Sequence, residues 1–207
     1  MDVDTRHVLL VSGSQREKGN TDVMLGEIER ELQTRGFRTD FVALRSYAVH
    51  SCIGCEWCRK DKTCTRFYDG MHLLYPLIEQ AAGLVVGSPT YNYNITPEMK
   101  SFIDRYYPFF DFSSQRPGPY KSRLAGAGRK AVSVAIAEQH EQSEMGFTMP
   151  AMSNAFAAIG YEVVAEVPVT GHFSKGSVAN DEEKLASARA AAGTLARALQ
   201  SHTETPR

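Results

Sequence analysis

The chain has 207 residues, of which 43% are hydrophobic and 23% charged, so we expect one domain with a sizeable core and exclude bulk disorder. A formal net charge of −1 gives no basic surface for nucleic acid or for an anionic membrane, and no apolar stretch is long enough to span a bilayer. The first residues lack a basic segment followed by an apolar one, so no signal peptide is predicted and the cytoplasm is the expected location.

Five short apolar runs alternate with five segments of helical periodicity. In chain order we expect a strand at His7–Ser12, a helix at Thr21–Arg35, a strand at Phe37–Leu44, a helix at Met71–Ala82, a strand at Leu84–Gly87, a helix at Pro97–Tyr107, a strand at Lys130–Ala137, a helix at Met149–Ile159, a strand at Tyr161–Val169 and a helix at Asp181–Gln200. Three of the runs, LLVS, LVVG and VSVAIA, are apolar without alternation, which is typical of strands buried on both faces. The pattern predicts a doubly wound, three-layer α/β domain over residues 1–200 and a disordered tail at 201–207.

The loop after the first strand, residues 13–20, is rich in hydroxyl groups, amides and glycine. Ser12, Ser14, Asn20 and Thr21 can donate hydrogen bonds, and the free N–H groups at the start of the following helix point the same way. These groups favour a phosphate-binding loop, although a polar surface loop with a helix cap has the same composition. The loop has neither the Walker pattern GxxxxGK[ST] nor the dinucleotide pattern GxGxxG.

The loop after the third strand, residues 88–97, lies at the same predicted edge of the sheet. Tyr91 and Tyr93 offer aromatic faces, and Thr90 and Asn92 offer hydrogen bonds to ring nitrogens and carbonyl groups. These residues indicate a site for a flat heteroaromatic ligand. The alternative is a long turn whose tyrosines close the core.

The two loops together resemble the NAD(P)H-dependent FMN reductase group of flavodoxin-like proteins. The resemblance lies in Gly13–Ser14, in Gly19–Thr21 and in the segment GSPTYNYNITPEMKSFIDR, and it covers about residues 6–170. It implies a five-stranded parallel sheet of order 2-1-3-4-5, a non-covalent FMN, and a homodimer or homotetramer. The residues that it implies for FMN are Ser12, Ser14, Gln15, Asn20 and Thr21 on the phosphate side, and Pro89, Thr90, Tyr91, Asn92, Tyr93 and Glu138 around the ring.

The sequence contains no recognisable set of catalytic side chains. The six histidines are scattered, and no Ser/His/Asp arrangement can be identified. In a flavin enzyme the cofactor carries the chemistry, so we expect no catalytic side chain. The implied reaction passes electrons from NADH or NADPH, between which the sequence does not decide, to a small acceptor such as flavin, a quinone, a nitro or azo compound, or oxygen. The alternative is a flavodoxin-like electron carrier without turnover, against which the small net charge argues.

All four cysteines fall within thirteen residues, as Cys52-x2-Cys55-x2-Cys58-x5-Cys64. Clustered thiols in a reducing compartment are more often ligands or redox groups than structural disulfides. The spacing resembles the iron–sulfur flavoproteins of the same group, which implies a [4Fe–4S] cluster and electron exchange with a ferredoxin-like partner. Packed thiols, a labile disulfide and a redox sensor are the alternatives.

Overall fold

The computed structural model describes residues 3–203, and its centre is a five-stranded parallel sheet. The strands are Asp4–Ser12 (β1), Arg38–Ala43 (β2), Ala81–Pro89 (β3), Phe110–Phe112 (β4), Tyr120–Ser122 (β5), Lys130–Ile136 (β6) and Glu162–Val169 (β7). The sheet order is β2-β1-β3-β6-β7, while β4 and β5 form a separate antiparallel hairpin. Without the hairpin, this is the predicted order 2-1-3-4-5, so the flavodoxin-like topology is confirmed.

Helices cover both faces of this sheet. They are Asn20–Thr34 (α1), Cys58–Asp61 (α2), Met71–Gln80 (α3), Pro97–Asp104 (α4), Thr148–Ala158 (α5) and Glu182–Thr203 (α6). Strand β3 is buried along almost its whole length because its side chains enter two cores. Val86 packs in one core with Phe102 of α4, and Val85 packs in the other with Leu25 of α1 and Leu195 of α6. Burial on both faces is the physical reason why the strand sequences do not alternate.

The chain between α4 and β6 differs from the prediction. Helix α4 ends at Asp104 rather than at Tyr107, because the chain turns into a short 3-10 helix and then into the β4–β5 hairpin. Tyr106 and Phe109 are 2% and 1% exposed, so this aromatic segment anchors the turn in the core. The hairpin strands are three residues each and were not predicted.

The C-terminal helix α6 extends through residues 201–203, which the sequence analysis assigned to a disordered tail. The rest of that predicted tail, residues 204–207, lies outside the described part of the chain. Within residues 3–203, no helix combines the length and the apolar character that crossing a bilayer requires.

Candidate functional site

A cavity with about 720 Å³ of empty space opens where β1, β3 and β6 end. Four segments meet there: the loop after β1, the loop after β3, the end of β6, and the connection of residues 170–181 between β7 and α6, here called the β7–α6 loop. This is the switch point at which doubly wound sheets bind ligands. The lining residues are Ser14, Arg16, Gly19, Asn20, Thr21, Pro89, Thr90, Tyr91, Ile136, Glu138, His172, Phe173 and Lys175.

The loop after β1 presents the start of α1 to this cavity. Gly19 is the N-cap residue, and no side chain caps the first amides of the helix. A Cβ atom at Gly19 would lie 2.8 Å from the carbonyl oxygen of Arg16, so the turn leaves no room for a larger residue. Ser14 lines the cavity, and its Oγ accepts a hydrogen bond of 3.2 Å from the Arg16 amide. Uncovered amides at the positive end of a helix dipole are suited to bind a phosphate.

Ser12, which the sequence analysis placed on the phosphate, lies behind this loop. Its hydroxyl is fully buried and donates a hydrogen bond of 2.6 Å to Oδ1 of Asp22. Arg45 forms an ion pair of 2.8 Å with the same carboxylate. Ser12 therefore supports the loop from within the protein and does not line the cavity.

Asn20 lines the cavity, but its side chain is engaged with the β7–α6 loop. Its Nδ2 donates to the carbonyl oxygens of His172 at 3.2 Å and Ser174 at 3.0 Å. Its Oδ1 accepts a hydrogen bond of 3.1 Å from the amide of Val178. The side chain thus joins two loops that are far apart in the sequence, and the backbone amide of Asn20 is the group left for an anion.

The loop after β3 supplies the other side of the cavity. The amide of Thr90 donates a hydrogen bond of 2.7 Å to the carbonyl oxygen of Ile136, which fixes the loop to the end of β6. The hydroxyl of Thr90 is buried and has no hydrogen-bond partner among the described residues. A buried, unpaired hydroxyl in a cavity wall is costly unless a ligand pairs with it. The loop therefore fits a polar heteroaromatic ring such as that of FMN.

Besides Ser12, three predicted flavin residues do not line the cavity: Gln15, Asn92 and Tyr93. Asn92 and Tyr93 form the tip of the β3–α4 loop at φ angles of +47° and +63°. The tip is closed by a hydrogen bond of 2.7 Å from the Tyr91 amide to the Asn94 carbonyl oxygen. Their contact with FMN stays a prediction.

The sequence analysis missed the part of the cavity that the β7–α6 loop provides. His172, Phe173 and Lys175 line it, although none of them was named as a candidate. The available signal was a polar, glycine-containing segment directly after the last strand, at the same edge of the sheet as the other two loops.

A second cavity, with about 610 Å³ of empty space, is surrounded by all four cysteines. The cysteines are free thiols, and no three His, Cys, Asp or Glu side chains in residues 3–203 converge on a position for a single metal ion. A [4Fe–4S] cluster is larger than an ion and takes one thiolate at each of four corners, so four thiols around a cavity fit it. The other lining residues include Trp57, Phe67, Tyr75, Tyr107 and Pro108.

Burial and the neighbouring thiols determine the protonation state of the Cys58 thiol in this cavity. Burial, together with the charges of Cys64, Cys52 and Cys55, raises the pKa of Cys58 to about 11. The Cys58 thiol is therefore protonated at neutral pH and must release its proton to bind iron.

The β4–β5 hairpin and the preceding turn hold the cysteine loop in place. The hydroxyl of Tyr107 donates a hydrogen bond of 2.9 Å to Oε1 of Glu56, and Arg116 of the hairpin forms an ion pair with the same carboxylate. Nη2 of Arg59 donates a hydrogen bond of 2.8 Å to the carbonyl oxygen of Ser113. These contacts fix the backbone on both sides of Cys58.

The topology and the first cavity define a flavodoxin-like, cofactor-binding protein. A family model described as NADPH-dependent FMN reductase matches residues 6–162, and the chain belongs to that family. The match confirms the predicted family and, with it, FMN as the cofactor.

Curated relatives point to one branch of the family. The chain is similar to an iron-sulfur flavoprotein of Archaeoglobus fulgidus, 38% identical over 95 residues that cover 46% of this chain and 48% of the relative. It is similar to iron-sulfur flavoproteins of Methanocaldococcus jannaschii, 30% identical over 49% of this chain and 52% of the relative, and of Methanosarcina thermophila, 32% identical over 46% and 49%. The chain thus matches about half the length of these relatives.

Solved structures confirm the fold. The protein resembles RosB with a TM-score of 0.73 at 14% identity, covering 97% of this chain and 81% of that one. It resembles a flavone reductase with a TM-score of 0.68 at 15% identity, covering 97% and 65%. An NADH:FMN oxidoreductase has a TM-score of 0.63 at 14% identity, covering 97% and 92%.

Proposed function

We propose that the protein is an FMN-dependent oxidoreductase that also carries a [4Fe–4S] cluster on Cys52, Cys55, Cys58 and Cys64. The observation that carries the proposal is that all four cysteines line one cavity, separate from the cavity that the two flavin loops line. The iron-sulfur flavoproteins among the curated relatives support it.

Bound FMN supplies the electron transfer, and the chain supplies binding and orientation. The amides at the start of α1 and the side chains of Ser14 and Thr21 hold the phosphate. The Thr90 hydroxyl pairs with a polar atom of the ring, and Tyr91 covers the ring from solvent. No side chain is assigned a proton-transfer role.

A bound cluster supplies single-electron transfer at the second cavity. The four thiolates hold it, and Phe67, Tyr75 and Tyr107 exclude water from it. Arg105 is 2% exposed and lines the cavity wall, where the buried carboxylate of Asp69 pairs with its charge at 2.7 Å.

The surface beside the cysteine cavity is suited to an acidic electron-transfer partner such as a ferredoxin-like protein. Trp57 is 53% exposed at the rim, and the guanidinium of Arg66 lies 5.7 Å from its ring centroid. Lys60 adds a further exposed cation. We include this partner, the cytoplasmic location and a homodimer or homotetramer in the proposal.

The second candidate is an NAD(P)H oxidoreductase that uses FMN alone and reduces a small acceptor. The description of the matched family, which names NADPH, favours a reduced nicotinamide as the electron donor. In this case the four cysteines are packed, reduced thiols. The two candidates share the flavin cavity and differ only in the content of the cysteine cavity.

Anaerobic purification of the full chain, followed by iron, sulfide and flavin analysis, distinguishes the candidates. We expect about four iron and four sulfide per chain together with FMN. Cys58→Ser is expected to lose the iron and keep the flavin, because Cys58 lines only the cysteine cavity. Ser51→Ala, next to Cys52 but outside both cavities, is the control and is expected to keep both.

FMN without iron, combined with steady NAD(P)H oxidation on addition of a quinone, would establish the second candidate instead. A colourless protein that takes up neither FMN nor iron would contradict both.

A further inference from the structure

The β7–α6 loop is fixed against the phosphate end of the flavin cavity. Nη1 of Arg16 donates a hydrogen bond of 2.8 Å to the carbonyl oxygen of Phe173, and its guanidinium lies 4.9 Å from the Phe173 ring centroid. The side chain of Asn20 holds the same loop through three further hydrogen bonds. Residues 172–175 therefore lie beside the start of α1.

Lys175 brings a positive charge to this end of the cavity. Three charged side chains line the cavity, and two of them, Arg16 and Lys175, are cations. Lys175 is exposed, and within residues 3–203 its ammonium group has no hydrogen-bond or ion-pair partner. The next residue, Gly176, has a φ of +72°, and a Cβ atom there would lie 3.3 Å from the carbonyl oxygen of Lys18. This turn leaves Lys175 at the mouth of the cavity.

Two acidic side chains near this end of the cavity are already paired, while Glu17 of the loop after β1 is exposed to solvent. Asp22 forms an ion pair of 2.8 Å with Arg45, and Asp181 accepts a contact of 3.0 Å from Nε2 of His172. Glu138, the remaining charged residue of the lining, follows β6 beside the ring-binding loop. The Lys175 charge is thus available to an anionic ligand at the phosphate end.

We propose that Lys175 binds the terminal phosphate of FMN and determines the preference for FMN over riboflavin, an inference that rests on the proposed FMN site. The amides at the start of α1 bind one side of the phosphate, and the ammonium group of Lys175 reaches it from the opposite loop. A lysine ammonium is a compact point charge that suits a phosphate monoester. Riboflavin has the same ring and ribityl chain without the phosphate, so it gains nothing from this charge.

The test compares dissociation constants of FMN and riboflavin for the flavin-depleted full chain, measured by quenching of flavin fluorescence. For Lys175→Met we expect FMN binding to weaken about tenfold and riboflavin binding to change less than about twofold. Lys175→Arg is expected to restore most of the FMN affinity. Lys121→Met makes the same charge change on the distant hairpin and is expected to leave both constants unaltered.

Equal weakening of FMN and riboflavin in Lys175→Met would overturn the inference, since it would show that the residue supports the loop rather than the phosphate. Unchanged FMN binding, or an effect confined to the KM for NADPH, would overturn it as well. A wild-type chain that binds neither flavin would overturn the proposed FMN site together with this inference. Wild-type flavin binding therefore separates failure of the site from failure of the role of Lys175.

Discussion

At the scale of single residues, Asp69 and Arg105 form a buried ion pair beneath the cysteine loop. Nη1 of Arg105 lies 2.7 Å from Oδ2 of Asp69, and the two side chains are 2% and 3% exposed. Burial acts to raise the pKa of Asp69, but hydrogen bonds from Arg105 and from the amides of His50 and Met71 lower it to about 2. The pair thus links stability to pH.

Because the folded-state pKa of Asp69 lies below its ordinary value of 3.8, its contribution is fully present above pH 3.8 and disappears as the pH falls to about 2. The lost stability is about 2 kcal/mol. We expect Asp69→Asn to weaken the dependence of the free energy of unfolding on pH below pH 3.8, as measured by urea unfolding at several pH values. At pH 7 it should also cost about 3–5 kcal/mol, since Arg105 is left as an unpaired buried charge.

The control for this experiment is Glu183→Gln, which removes a carboxylate that is 87% exposed. This variant should leave the loss of unfolding free energy at acid pH unchanged. A loss at acid pH in Asp69→Asn as large as that of the wild type would contradict the assignment.

At the scale of elements, the start of α4 links two loops of the flavin cavity. Thr96 is the N-cap residue, and its Oγ1 accepts a hydrogen bond of 3.3 Å from the Met99 amide. The same hydroxyl donates a hydrogen bond of 2.8 Å to the carbonyl oxygen of Gly13, in the loop after β1. One side chain therefore caps a helix and fixes the position of the phosphate loop.

Thr96→Val should lower the free energy of unfolding by about 2 kcal/mol, because it removes the cap and leaves a buried carbonyl oxygen without its donor. Thr96→Ser keeps the hydroxyl and should lose clearly less. Urea unfolding followed by circular dichroism measures both. A free energy of unfolding that is unchanged in Thr96→Val, or lowered more by Thr96→Ser than by Thr96→Val, would contradict the role of the hydroxyl group.

The sequence predicted the elements whose side chains have a periodic pattern and missed those that depend on distant contacts. Strands β1, β3 and β6 were recognisable because each contains a continuous apolar run, and Pro97 after Thr96 indicated the start of α4. The hairpin strands are three residues each and too short to show a period. Strand β3 begins at Ala81 rather than Leu84, because two alanines and a glycine continue a helix pattern equally well.

The same distinction applies to the flavin cavity. Ser14, Thr21 and Thr90 were predictable because they follow strands at the expected edge of the sheet. Lys175 was not, because its loop is placed by the side chains of Asn20 and Arg16 rather than by any local pattern.

At the scale of the whole molecule, the flavin cavity is lined by segments that lie far apart in the sequence, from Ser14 to Lys175. A ligand that binds only the folded state stabilises the entire domain. FMN at 100 times its dissociation constant should therefore raise the free energy of unfolding by about 2.7 kcal/mol. Thermal unfolding followed by circular dichroism at increasing FMN concentration measures this, with inorganic phosphate as the control, and a midpoint independent of FMN would contradict it.

The hydrogen bond between Asn20 and Val178 spans 158 residues and has a consequence for biosynthesis. Residue 20 is translated early, but the wall opposite α1 exists only once residues 170–181 have been added to the growing chain. Contacts of such high sequence separation form late and slowly, since a long loop must be closed first. A growing chain that ends before residues 170–181 therefore lacks one wall of the flavin cavity, and we expect it to retain flavin less well than a chain that includes them.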